Sequence, residues 1–348
     1  MHATLPWAWY SDPEVLRREQ ERIFRRAWQY VGHGGQVAEP GSYFTAVAGT
    51  IPVVVTRDRD GALQAFFNIC RHRGFPVARG EGRRETLQCA YHAWTYGLDG
   101  SLRAAPRSEL EPGFDHDELG LARVAVDTWG PFVFVNPDAE AGPLAEALGP
   151  LPGLLEDLGL DLAGLELRLR SEFDVEANWK VVCENFLECY HCPVAHPGFS
   201  KVIDVSPDAY RLESEGLVSS QFASVREDGR ASYDVDGEIE RGQFHFLWPN
   251  VGINVFPGRP NISIGPINPL STSRTHRFLD YFFAPDVDDE WVRQLLEFDD
   301  QVGKEDRELV EGVQLGVAAG GLEQGVVLER SEQLIRHFQV LTADALTR

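Results

Sequence analysis

Two pairs of residues stand out as metal donors. Cys70 and His72 form a C-x-H pair, Cys89 and His92 a C-x-x-H pair, and 16 residues separate the two. Two thiolates and two imidazoles can hold zinc tetrahedrally. They can equally hold a 2Fe-2S centre, with the cysteines on one iron and the histidines on the other. Ligand types alone do not choose. A second group lies further on, where Cys183, Cys189 and Cys192 share a short segment with His191 and His196. Cys189 and Cys192 spell C-x-x-C, which by itself fits thioredoxin-like redox chemistry or half a zinc site. No second cysteine pair completes such a zinc site. Five cysteines in 348 residues are too few and too unevenly placed for a disulfide framework, so metal binding is the better question to ask of them.

Carboxylates appear where an apolar face should be. From Asp288 to Gly316 the chain reads as one long amphipathic helix, and Leu295, Asp299, Val302, Asp306, Leu309 and Val313 follow steps of three and four along one side. Burying an unpaired carboxylate is costly, and a metal cation is one of the few partners that makes the placement favourable. The spacing does not separate Asp299 from Asp306.

The elements that must position these groups change character along the chain. A helix is expected from about Asp12 to Trp28. From Gly41 to Val135, short β-rich runs punctuated by Asp60-Gly61 and Asp99-Gly100 read as a small antiparallel domain, with each Cys/His pair at the tip of a turn. The stretch from Pro137 to Gly153 reads as a boundary. Beyond it, alternation from Leu165 to Val175 indicates a strand, and Asn178 caps a helix that should end near Cys192, because Pro193 cannot sit in a helix interior. Residues 221–283 look like further strands. The expected division is an N-terminal helical segment (1–39), a first domain (40–150) and a second (151–348).

The text around the metal donors adds a family resemblance. CRHRGFPVARG and CAYHAWTYGLDG resemble the Rieske domain of ring-hydroxylating oxygenases. The resemblance implies that Cys70 and Cys89 ligate one iron of a 2Fe-2S cluster and His72 and His92 the other. Neutral imidazoles then replace two anionic thiolates, which raises the potential into the range of about −150 to +300 mV. Trp94 and Tyr96 are expected to wall the cluster off from water. The segment NWKVVCENFLECYHCPVAH, from Asn178 to His196, resembles the mononuclear iron motif of the same family, with His191 and His196 as the matching ligands. A third ligand is implied by GKEDRELVEGVQ, which selects Asp306 over Asp299 for a facial triad with open positions for dioxygen. The family carries an acidic residue at Glu188, implied to bridge a cluster histidine of one subunit and an iron histidine of the next; many members have Asp there. Asn185 and Tyr190 also match positions near the iron.

The resemblance implies an α+β fold, with an all-β Rieske domain followed by a helix-grip catalytic domain in which an antiparallel sheet grips a long helix. It further implies Fe(II) at the second site, dioxygen and a small molecule as substrates, and a homotrimeric ring. No strand-then-G-x-G-x-x-G unit is present, so electrons must come from a separate flavin or ferredoxin-type reductase. The run E-C-Y-H-C resembles the branch acting on quaternary ammonium compounds, for which Phe246, Trp248 and Phe256 offer aromatic faces in the substrate pocket. Ring hydroxylation or O-demethylation of an aromatic acid, a Rieske electron carrier without oxygenase activity, and a zinc-stabilised binding module are the rival readings.

A formal charge of −22 makes nucleic acid and anionic membranes poor partners, and suits a basic electron-transfer protein or a cationic substrate. No signal-peptide-like run and no apolar stretch of about 20 residues occurs, so a cytoplasmic protein is expected.

Overall fold

The computed structural model describes residues 1–226 and 232–347, so part of the expected 221–283 strand region (residues 227–231) lies outside the described residues. The chain forms two compact units, one of Phe24–Leu144 and one of Met1–Ile23 with Ala145–Arg348. Sheets and helices combine as the α+β reading expects.

In the Phe24–Leu144 unit, a seven-stranded antiparallel sheet runs in the order Gln29–His33, Phe132–Asn136, Arg123–Trp129, Leu63–Phe67, Ile51–Arg57, Ser42–Ala48, Glu81–Arg83. Side chains alternate between its faces. Phe44, Val53, Val55 and Ala65 therefore build one core, whereas Tyr43, Val54 and Phe66 point into another that contains Cys70, Cys89, Leu87 and Tyr96. A three-stranded sheet of Thr86–Gln88, Thr95–Gly97 and Leu102–Ala104 carries the Cys89 loop.

The other unit is built on a seven-stranded antiparallel sheet ordered Glu166–Val175, Arg274–Phe283, Asn261–Ser271, Val251–Val255, Arg241–Leu247, Val218–Ser224, Arg211–Glu215. Against it lies the helix Asp289–Ala318, capped by the Asp288 carboxylate, which accepts from the Trp291 N–H. Leu295 and Phe298 of this helix pack with Phe244, Phe256, Leu279 and Tyr281 of the sheet. The expected stripe holds only as far as Asp306. Beyond it Val310, Gln314 and Val317 are buried while Leu309 and Val313 are exposed. A straight helix of 3.6 residues per turn drifts against a seven-residue repeat, so a four-residue step follows Asp306.

Two sequence expectations need correction. Residues 1–23 do not form a segment with 24–39. His2–Ala3 pairs with Val326–Val327, and the helix Pro13–Glu19 ends on Glu19, whose carboxylate accepts from Lys180 Nζ at 2.6 Å and Trp179 Nε1 at 2.8 Å. Glu19 and Lys180 are fully buried, and removing one partner of such a pair costs roughly 3–5 kcal/mol. The N-terminus is thereby tied to the second unit, and the chain passes between units near residues 23 and 144 rather than 39 and 150. Nor does the Asn178-capped helix reach Cys192. It spans Trp179–Phe186, and Pro193 sits in the first turn of a new short helix, Cys192–Ala195, where its fixed φ suits helix initiation.

Candidate active site

The Cys70 and Cys89 loops are built alike. Cys70 N–H donates to Phe75 O and Gly74 N–H to Cys70 O; Cys89 N–H donates to Trp94 O and Ala93 N–H to Cys89 O. In both loops the residue four after the cysteine has positive φ, +77° at Gly74 and +58° at Ala93. For alanine this conformation costs about 1–2 kcal/mol, which the closing hydrogen bonds must offset. The result is two buried thiols with two exposed imidazoles, whose ring centroids lie 4.6 Å apart. Trp94 stacks on His72 at 5.0 Å. The Tyr96 hydroxyl accepts from Arg71 N–H at 3.1 Å and lies 3.3 Å from Cys70 Sγ, so its own proton is free to point at the sulfur.

Burial and the adjacent Cys70 push the Cys89 thiol up from its ordinary value. Deprotonating Cys89 beside the Cys70 sulfur is unfavourable unless a cation is at hand. Two buried sulfurs and two exposed imidazoles are a donor set that would fit a Rieske cluster.

The second site gathers residues that are far apart in sequence. His191 lies in the turn after Phe186, His196 ends the Cys192–Ala195 helix, and Asp306 comes from the long helix. His191 Nε2 and His196 Nε2 are 3.1 Å apart, and Asp306 Oδ1 lies 3.0 Å from the latter and 3.5 Å from the former. Each ring turns its other nitrogen to a carboxylate: His191 Nδ1 to Glu188, and His196 Nδ1 to Glu305 at 2.8 Å. Ionised carboxylates only accept, so each Nδ1 carries the proton and each Nε2 presents a lone pair. In the neutral rings two lone pairs and a carboxylate oxygen thus converge on one point.

The electrostatics agree that a positive charge belongs here. Burial opposes charge on the His191 ring, but Asp306 and Glu188 outweigh it and push the imidazole up to about 9. For Asp306 burial works upward, yet His191, His196 and Asn185 hold the carboxyl well below the usual range. Asn185 Nδ2 donates to Asp306 Oδ1 at 2.7 Å. Donors about 2.1 Å from one metal and 90° apart would stand ~3.0 Å from each other, so the separations observed fit one face of an octahedral iron.

Asp299, the rival candidate, lies elsewhere: it accepts from the Tyr281 hydroxyl at 2.6 Å. Cys192 Sγ lies 3.9 Å from His191 Nε2 but is bonded to Cys189, so the C-x-x-C pair closes a single local disulfide in a chain too poor in cysteine for a disulfide framework. The turn after Phe186 brings the two Cα atoms to 5.0 Å, within bridging range.

A cavity of about 350 Å³ opens on the triad. Asn185 and Phe256 line it, as do Phe173, Phe199, Phe244, Tyr281, Asp299, Arg277 and Arg307. Phe246 and Trp248 are not in its wall. Phe246 is buried between Phe186 and Phe338, and Trp248 Nε1 donates to Thr342. Phe244, two residues earlier on the same strand face, takes the place given to Phe246; the F-H-F run offered both equally. Tyr190 is 64% exposed and points away from the packed interior. Arg277, Arg307 and Glu305 carried no sequence signal beyond their position on an amphipathic strand or helix.

Residues 27–115 match the family model of the Rieske [2Fe-2S] domain, and residues 162–348 that of the ring hydroxylating alpha subunit (catalytic domain). The chain belongs to this family of Rieske oxygenases. It is 32% identical to the carnitine monooxygenase oxygenase subunit of Acinetobacter pittii, over 98% of this chain and 94% of that one. It is 33% identical to the chloroplastic choline monooxygenase of Amaranthus tricolor, over 96% and 76%. Among solved structures, a quaternary ammonium Rieske monooxygenase described for carnitine oxidation and inter-subunit electron transfer superposes with a TM-score of 0.85 at 30% identity, covering 99% of this chain and 95% of that one. The protein is a terminal oxygenase with a Rieske 2Fe-2S cluster and a mononuclear non-haem iron, and it takes electrons from a separate protein. Among the described residues no helix is long and apolar enough to cross a membrane.

Proposed function

We propose that Cys70, Cys89, His72 and His92 hold the cluster, that His191, His196 and Asp306 hold the iron, and that the substrate is a small zwitterionic quaternary ammonium compound. The observation that carries the substrate reading is the charge pattern of the cavity. Phe199, Phe244, Phe256 and Tyr281 offer aromatic faces to a cation, and Asp299 adds a negative charge beside Tyr281. Arg277 and Arg307 flank the Phe173 ring at 5.6 and 5.2 Å; among the described residues the Nε of each is without a hydrogen-bond partner, while Asp306 and Asp299 attract Arg277 through space. Two guanidiniums with Nε donors to spare suit a carboxylate. Relatives acting on carnitine and on choline are about equally similar to this chain, so the arginines, not the resemblance, favour the carboxylated compound. An aromatic acid would satisfy the arginines but would leave Asp299 facing a neutral ring.

When bound, the iron supplies reductive activation of dioxygen with electrons relayed by the cluster. The chain's own residues set the rest. Aromatic faces and Asp299 hold the cationic head, the arginines hold the carboxylate, and the carbon beside nitrogen is thereby presented to the open side of the triad. Electrons come from a flavin or ferredoxin-type reductase, and a cytoplasmic setting suits that supply.

The working unit in this reading is a homotrimeric ring in which Glu188 relays between neighbouring subunits. Its carboxylate holds His191 Nδ1 and accepts from the Tyr190 and His191 N–H groups, which makes it a rigid link to one ligand.

Oxygen uptake and product formation with a surrogate reductase test the substrate assignment. Carnitine-like zwitterions should turn over with a KM at least about tenfold below that of choline, each lost charge-assisted contact being worth about 1.5–3 kcal/mol. Arg277→Gln combined with Arg307→Gln should abolish the difference. Preference for choline or for an aromatic acid would sink the zwitterion reading. Glu188→Gln should leave both metals bound while slowing cluster oxidation in a single turnover of pre-reduced protein.

A further inference from the structure

We infer that Glu305 is the positioning residue for the iron ligand His196, gripping the ring from the side opposite the metal. His196 is 2% exposed, and its Nδ1–H donates to Glu305 Oε2 at 2.8 Å. The other oxygen, Oε1, accepts from Gln301 Nε2 at 2.8 Å, one helical turn earlier, so the carboxylate is itself held in place. Asp306 follows Glu305 directly and meets the opposite nitrogen of the same ring, with Oδ1 3.0 Å from Nε2. Consecutive residues on a helix diverge by about 100°. One backbone step therefore spreads two carboxylates to the two ends of one imidazole.

The consequence for metal binding is chemical. A neutral imidazole carries one ring proton, and an ionised carboxylate at Nδ1 can only accept it. Glu305 thereby fixes the tautomer in which Nε2 is the free donor, sets the ring plane, and makes that donor more basic. Glu188 does the same for His191 from within its own turn. The long helix, by contrast, supplies both a ligand and the group that orients a second ligand.

Iron retention tests the assignment without reference to turnover. Holoprotein is dialysed against a graded ferrous chelator, and mononuclear iron is counted against the visible absorption of the cluster as internal standard. Glu305→Leu, which has no acceptor, should weaken iron binding by roughly 10–100-fold. Glu305→Gln keeps an amide oxygen for the Nδ1 proton without the charge, and should fall between Leu and wild type. That graded rescue is not expected of a purely structural contact. Glu308→Gln, on an exposed position of the same helix, should leave affinity unchanged. The assignment is overturned if Glu305→Leu retains iron as wild type does or, should that variant lose its cluster, if Glu305→Gln does.

Discussion

The two proposed metal sites are made in opposite ways. Each half of the cluster site closes on itself: within Cys70–Phe75 and within Cys89–Trp94, two backbone hydrogen bonds define the loop, and cysteine and histidine lie two or three residues apart. At the iron site, His196 and Asp306 are 110 residues apart, and Asn185 reaches Asp306 across 121. A site built from local loops tolerates change elsewhere in the fold, whereas one assembled from distant elements inherits every error in how they pack.

The sharpest way to separate the two is Asp306→Ala. It should lose mononuclear iron and reduce turnover by on the order of a thousandfold or more, as expected when a metal essential to the reaction is removed. The visible spectrum of the cluster should not change. If Asp299→Ala did this instead, with Asp306→Ala still active, the geometry of the triad would have been misread. Conversely, His92→Cys should alter the cluster alone. Adding an anionic ligand should lower its potential by on the order of 100 mV or more in redox titration, given the gap between Rieske and all-cysteine clusters. An unchanged potential in a loaded cluster would remove His92 from the ligand set.

A smaller effect probes how far the iron site leans on the rest of its unit. Glu184, on the helix preceding the His191 turn, accepts from the hydroxyl of Tyr10 at 2.6 Å and from Gln339 at 3.0 Å, near the two ends of the chain. Burial pushes its carboxyl up to about 7. The folded state then holds this proton more tightly than the unfolded chain, whose glutamates titrate near ~4.3. Glu184's favourable contribution is therefore fully present below about pH 4.3 and lost as the pH rises through about 7, a change of roughly 4 kcal/mol at most. Glu184→Gln should flatten stability between pH 5 and 8 in denaturant titrations; an unaltered pH profile would count against the buried acid. The smallest change expected is Tyr96→Phe, which removes the hydroxyl beside Cys70 Sγ and should lower the cluster potential by tens of millivolts, hydrogen bonds to sulfur being one of its determinants. No shift in a loaded cluster would mean that the hydroxyl proton does not reach the sulfur.

What could be read from the chain alone follows the same division. The cysteine and histidine pairs, the period-two strands, the Asn178 cap and the long helix are all encoded within a few residues, where spacing and side-chain chemistry act directly. So is the order of the two units, because each motif lies inside its own segment. The spacing of the long helix left Asp299 and Asp306 equivalent. The resemblance around GKEDRELVEGVQ selected Asp306, and the packed structure put it against two imidazoles and Asp299 against Tyr281. The same packing put Phe244 rather than Phe246 into the cavity wall, closed Cys189 onto Cys192, and drew residues 1–23 into the second unit through a buried Glu19–Lys180 pair. Each of these depends on which distant surface arrives opposite a side chain, and a local pattern specifies that a face is buried without specifying what it is buried against.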